Sequence, residues 1–167
     1  MPAEDKARME AILRREVIGH LALADGDELY MVPLNYTYHE GKILFHCSLE
    51  GKKLDMIRRN SRVCFEVCHQ YADPAEHGPE GCDAPFDSVL CWGTARIIDD
   101  LDERKVVLDA FQARYPKPDG SPRGGVPIER VKGCGAVVIQ VERMTGRYWA
   151  GKVQENWEWA SESEGAR

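Results

Sequence analysis

A chain of 167 residues with a net charge of −6 is long enough for a real core, burying roughly 70% of its unfolded surface, and reads most simply as one domain, 1–167. Its 28 acidic against 22 basic side chains argue against a general nucleic-acid binder, because affinity for phosphate backbones needs a basic surface. No apolar run approaches the about 18 residues of a membrane span, the charged stretch 1–16 holds no secretory segment, and the cysteines show no secreted-type framework; the expected setting is the cytoplasm, with thiols reduced.

In chain order, residues 3–15 read as a helix with Met9, Ile12 and Leu13 on one side. Leu21 and Leu23 belong to a first strand, ended by the turn Asp25-Gly26-Asp27. Tyr30, Val32, Leu34, Tyr36 and Tyr38 alternate along what reads as one second strand, closed by His39-Glu40-Gly41. Ile43 to Ser48 is a third strand, followed by Glu50-Gly51-Lys52-Lys53 and a short helix ending at Asn60. Val63, Phe65 and Val67 alternate in a fourth. Residues 69–87, rich in proline and glycine, read as a long loop insertion. The strand 88–98 carries Gly93 in its interior, which points to a bulge or a close backbone approach. Asp100 and Glu103 form a capping box for a helix whose Val107, Leu108, Phe111 and Tyr115 share a face. A loop at 116–127 precedes a last strand, 134–143, and a Trp-rich tail, 146–167, that ends in solvated polar residues. Some six strands on short connections, with three helices, predict a mainly β (α+β) protein: an antiparallel barrel or curled sheet with peripheral helices.

Four constellations could carry chemistry. The corner His46, Cys47, Ser48, Gly51, Lys52 and Lys53 places two ammonium groups and a hydroxyl at a helix start, where an anion is favoured; solvated lysines on a surface helix are the plain alternative. In Val32-Pro33-Leu34-Asn35, the proline cannot donate to a ladder, so neighbouring peptide groups can meet a flat heterocycle, or the strand is simply a blunted edge. Cys64 and Cys68 share a strand face but lie about 13 Å apart, too far to chelate one metal. Cys68, His69, His77 and Cys82 would form a zinc site only if the loop folds back, and no metal is the preferred expectation. Trp92, Tyr148, Trp149, Trp157 and Trp159 suit core packing, an interface or a planar ligand. No nucleophile elbow, Walker loop, HExxH or dinucleotide fingerprint is present.

The ordered set GHLAL, YMVPLNYTYHEGKILFHCSLEGKKLDMIRRNSRVCFEV and SVLCWGTARII resembles the pyridoxamine 5′-phosphate oxidase-like flavoproteins over residues 8–145, nearest their nitroimidazole-resistance branch. The resemblance implies a split antiparallel β-barrel that forms a homodimer, with FMN at the subunit interface. It puts the FMN phosphate on Lys52 and Lys53 with Ser48 nearby, and the ribityl chain along Phe45, His46 and Cys47. The backbone of Val32, Pro33, Leu34 and Asn35 would meet the isoalloxazine edge, and Ser88 and Val89 would reach the flavin of the other subunit. His46 falls near flavin and substrate and is the residue expected to move a proton. Met31 and Tyr36 stand where the oxidase carries arginine and lysine, so vitamin B6 oxidation is not expected. The expectation is an FMN-dependent oxidoreductase of a small, by analogy nitroaromatic, substrate. The alternative is a non-catalytic flavin or haem protein, with His20, His39, His46, His69 and His77 as axial candidates.

Overall fold

The computed structural model describes residues 3–71, 85–150 and 153–161. The first helix, α1 (Ala3–Arg15), has Glu4 and Asp5 in its first turn and Arg14 and Arg15 in its last, complementing its dipole, and buries Met9, Ile12 and Leu13. Strands β1 (Ile18–Asp25) and β2 (Glu28–Asn35) form a hairpin, and β3 (Thr37–His39) and β4 (Lys42–Cys47) form a second. Helix α2 (Lys52–Arg59), β5 (Arg62–Gln70) and β6 (Phe86–Ile97) follow. Next come α3 (Leu101–Ala113), opened by the Asp100 carboxylate accepting from the Glu103 amide, α4 (Ile128–Lys132), β7 (Gly135–Ala150) and β8 (Val153–Ala160).

All strand pairs are antiparallel, in the order β2-β1-β5-β6-β7-β4-β3, with β8 added on β7. β7 pairs with β6 along most of its length, and it meets β4 through residues 135–140 and β8 through 143–150. The expected curled sheet with peripheral helices is what forms: a half-barrel of the split type. Its inward side chains, among them Leu21, Tyr36, Phe45, Phe65, Val89 and Ile139, pack with α1 and α2. Leu44 and Val138, on the opposite face, form a second core with Val107 and Leu108 of α3 and Val131 of α4.

One expected strand is two. β2 and β3 are separated in sequence by Tyr36 alone, yet they stand at opposite ends of the sheet order. The sheet must therefore curl until its two edges meet at this residue. Period-2 alternation runs through the break unchanged, because Tyr36 and Tyr38 continue to point inward, and so the pattern alone does not reveal it. Tyr36 is fully buried, sits edge-on to Phe65 at 4.9 Å between ring centroids, and donates from its hydroxyl to the Leu13 carbonyl at 2.7 Å. Tyr36→Phe leaves that carbonyl at the end of α1 without its partner. A loss of about 1–3 kcal/mol in urea unfolding is the expected result.

Two further elements exceed the expectation. The tail folds as β8, with Trp157 buried and lysine and arginine of α1 (Lys6 and Arg8) over the Trp159 and Trp157 rings. The period-2 placing of Trp157 and Trp159 signalled a strand, but the intervening charges read as solvated. The short α4 lies between the expected loop 116–127 and the last strand, in a stretch that the sequence reading gave no element. Gly93 does mark a bulge, between Trp92 and Gly93 against β7. The segment 72–84, with His77 and Cys82, lies outside the described residues. Among the described residues no group of three or more His, Cys, Asp or Glu side chains is arranged to hold a metal, and no helix is long and apolar enough to cross a membrane.

Candidate functional site

Alternation along β4 divides its end between two cavities. Phe45 and Cys47 point inward, Phe45 being fully buried, while His46 points to the α3 side. After Cys47 the chain turns at Gly51, whose φ of 130° and ψ of 164° disfavour any side chain, and α2 starts at once. No side chain caps this helix, and the amides of Leu54 and Asp55 return to the Gly51 carbonyl at 2.9 and 3.2 Å. The first amides of a helix lack intrahelical acceptors, so this end presents donors and a partial positive charge.

Tyr30, Cys47, Ser48, Gly51, Lys52 and Lys53 line a recess of about 170 Å³, with Glu50 on its wall. Lys52 Nζ is 2.6 Å from the Glu28 carboxylate and 4.9 Å from the Tyr30 ring centroid. Lys53 Nζ lies 5.2 Å from the centroid of Phe45 and, among the described residues, has no carboxylate partner. Among the described residues Lys53 is thus the lysine of the recess without an ion-pair partner, while Lys52 is paired with Glu28. Burial pushes the Cys47 thiol up, with Lys53 pulling the other way, so Cys47 is a thiol at neutral pH.

His46 opens into a second cavity of about 250 Å³ beside α3, its ring edge-on to Phe111 at 4.7 Å. Burial, aided by the Arg130 and Lys53 cations, holds its imidazole below the usual range, which favours the neutral form near pH 7. Sequence reasoning missed the rest of this cavity. Phe111 and Tyr115 read as a core-facing pair, Arg123 sat in the expected loop 116–127, and Arg130, now in α4, sat in a stretch given no element, with no pattern to mark either.

The remaining expected site residues lie on the sheet. Val32 and Leu34 are half-buried against the core, while Pro33 and Asn35 are exposed on the other face of β2. Ser88 shares that outer face through the register Pro33–His20–Glu66–Leu90, two residues from Leu90; Val89 points inward and is fully buried. So Cys47, Ser48, Lys52 and Lys53 come together, His46 faces away from them, and Pro33, Asn35 and Ser88 share a third surface. Leu29 and Met31 of that surface are 81% and 67% exposed, and among the described residues no helix covers it. Trp92 also lies on this face, half-buried, with the Arg143 guanidinium 3.7 Å from its ring centroid.

A curled antiparallel half-barrel with peripheral helices, a basic, uncapped helix start below one strand end and an open sheet face defines a protein of the split-barrel class. The pyridoxamine 5′-phosphate oxidase family model matches residues 5–148, and the chain belongs to that family. Solved structures share the fold. A candidate 5-nitroimidazole antibiotic resistance protein from Bacteroides thetaiotaomicron has a TM-score of 0.73 at 24% identity, the match covering 95% of this chain and 89% of that one. A FAD-binding protein from Mesorhizobium loti gives 0.63 at 21% identity, over 90% and 96% of the two chains. The FAD and haem binding protein from Mycobacterium smegmatis gives 0.71 at 13%, over 95% and 76%. No curated protein matches the sequence.

Proposed function

We propose that this protein is a cytoplasmic FMN-binding oxidoreductase that works as a homodimer, with the flavin at the interface and a small substrate on the His46 side. The observation that carries the reading is the recess at Gly51: an unpaired Lys53, the Ser48 hydroxyl and an uncapped helix start converge where a dianionic phosphate would be held. Glu50 opposes an anion there, but its backbone neighbour Gly51 leaves the approach open, with nothing within 4 Å of where a Cβ would stand. FMN, when bound, would supply the electron-transfer chemistry. The chain's part is binding and positioning. Lys53 and Ser48 hold the phosphate, Cys47 and the backbone of the buried Phe45 border the ribityl chain, and the backbone of Val32 to Asn35 meets the ring edge. Ser88 contributes from the partner, and Val89, whose side chain is buried in its own core, contributes only through its backbone. The neutral His46 imidazole accepts or relays a proton for a substrate in the second cavity.

The outer sheet face supports the dimer. Leu29, Met31 and Ile18 are exposed beside Pro33, Asn35 and Ser88, and an apolar face of this kind favours burial against a second copy. A nitroaromatic substrate is the reading by analogy with the Bacteroides structure. Oxidation of pyridoxamine 5′-phosphate is not proposed, because Tyr36 is sealed in the core and Met31 carries no charge.

The deciding experiment is the visible spectrum of purified protein, before and after addition of FMN. Flavin bands with saturable uptake are expected. Colourless protein that takes up no FMN would overturn the reading, and a Soret band instead would make it a haem protein. In light scattering, the wild type is expected to be a dimer and the Leu29→Lys, Met31→Lys double variant a monomer with weakened FMN retention. A monomeric wild type that binds FMN normally would contradict the shared site.

A further inference from the structure

The second cavity has a composition out of keeping with the chain. The protein carries a net charge of −6, yet this cavity is lined by His46, Arg123 and Arg130 and by no carboxylate. Arg130 makes no ion pair or side-chain hydrogen bond among the described residues. Arg123 donates from Nε to the Tyr115 carbonyl at 2.7 Å, which orients its guanidinium, and its two terminal nitrogens have no carboxylate partner among the described residues. Phe111 and Tyr115 supply flat walls, their rings 5.0 Å apart and tilted by 36°. The Tyr115 hydroxyl is already committed to the Tyr36 carbonyl at 2.8 Å, so the aromatic wall offers contact area while the cations supply recognition. Gln112 adds a side-chain amide whose nitrogen is already committed to the Gly124 carbonyl.

We propose that this cavity binds a small planar carboxylate: a single aromatic or heteroaromatic ring laid against the wall that Phe111 and Tyr115 form together, its carboxylate held by Arg123 and Arg130, its far edge toward His46. A guanidinium fork matches a carboxylate in geometry as well as charge, which a lone ammonium does not. The volume of about 250 Å³ lies just under the roughly 300–1,000 Å³ usual for ligand pockets, which selects a single ring. This names the substrate class of the proposed oxidoreductase and rests on that reading for its role, though the binding itself is read without turnover.

Calorimetric titration of 4-nitrobenzoate and of its neutral isostere 4-nitrobenzamide, into protein with and without added FMN, tests it. The acid is expected to bind at least about tenfold more tightly than the amide. Arg123→Gln and Arg130→Gln should each weaken the acid about tenfold, leave the amide unchanged, and leave FMN affinity, read separately by flavin fluorescence, as it was. Equal affinity for acid and amide in the wild type, or no binding of either, overturns the inference without need of a variant. So does an acid affinity indifferent to both arginines. FMN binding without acid selectivity refutes the cavity assignment alone; acid selectivity without FMN binding refutes the flavin reading and leaves the cavity assignment standing.

Discussion

Lys53→Ala is expected to raise the FMN dissociation constant about ten- to a hundredfold, on the order of 1.5–3 kcal/mol, while the fold is retained. The size follows from the state of each cation at the α2 start. Lys52 is held 2.6 Å from Glu28, so its charge is largely offset before any ligand arrives, and Lys52→Ala should cost much less. Lys53 has no such partner and lies over the Phe45 ring at the recess wall. Lys53→Met keeps most of the aliphatic stem and removes only the charge, and it should match the alanine variant if electrostatics dominate. Fluorescence-quenching titrations with FMN measure all three. Unchanged affinity in Lys53→Ala would place the phosphate elsewhere.

The second large effect is on stability. Gly93→Ala should destabilise the protein by about 3 kcal/mol or more, read as a lower urea midpoint with a similar slope. A Cβ at Gly93 would stand 2.0 Å from the Gln140 carbonyl oxygen and 2.9 Å from its carbon. These are backbone atoms of the paired strand, so no rotamer change relieves the clash; β6 and β7 must separate at the bulge. Gly124→Ala is the internal control, since nothing lies within 4 Å of its Cβ position, and it should change the midpoint little. Equal midpoints for Gly93→Ala and wild type would mean that the strands are not in close contact there.

Much of the fold was legible because most strands alternate cleanly and each helix carries its own signals. Met9, Ile12 and Leu13 located one face of α1, and Asp100 with Glu103 located the start of α3. Gly93 announced its bulge through being a glycine in a strand interior. What was not legible is where each strand finds its neighbours. Alternation records inward and outward but not which edge a strand joins, and so 30–38 read as one strand across the Tyr36 break. The candidate site divides in the same way. Ser48, Lys52 and Lys53 are close in sequence and a single turn unites them. Arg123 and Arg130 reach His46 only because the connection after α3 folds back over β4, a non-local event without a local pattern. Strand parity, which is written in the sequence, separates His46 from Phe45 and Cys47, although their adjacency had suggested one shared surface.

The one-residue join between β2 and β3 sets an arithmetic on this part of the chain. Tyr30, Val32, Leu34, Tyr36 and Tyr38 keep a common parity across the junction, and β3 is locked to β4 by the pairs Thr37–Leu44 through His39–Lys42. A single inserted residue at position 36 would turn one hairpin inside out relative to the other, either expelling Tyr38 from the interior or shifting β3 out of register with β4. Two inserted residues would restore parity but loosen the seam that draws the sheet's edges together. The spacing between the segment proposed for the flavin ring and the strand that leads to the recess at Gly51 is therefore fixed by counting, independently of which amino acids occupy it.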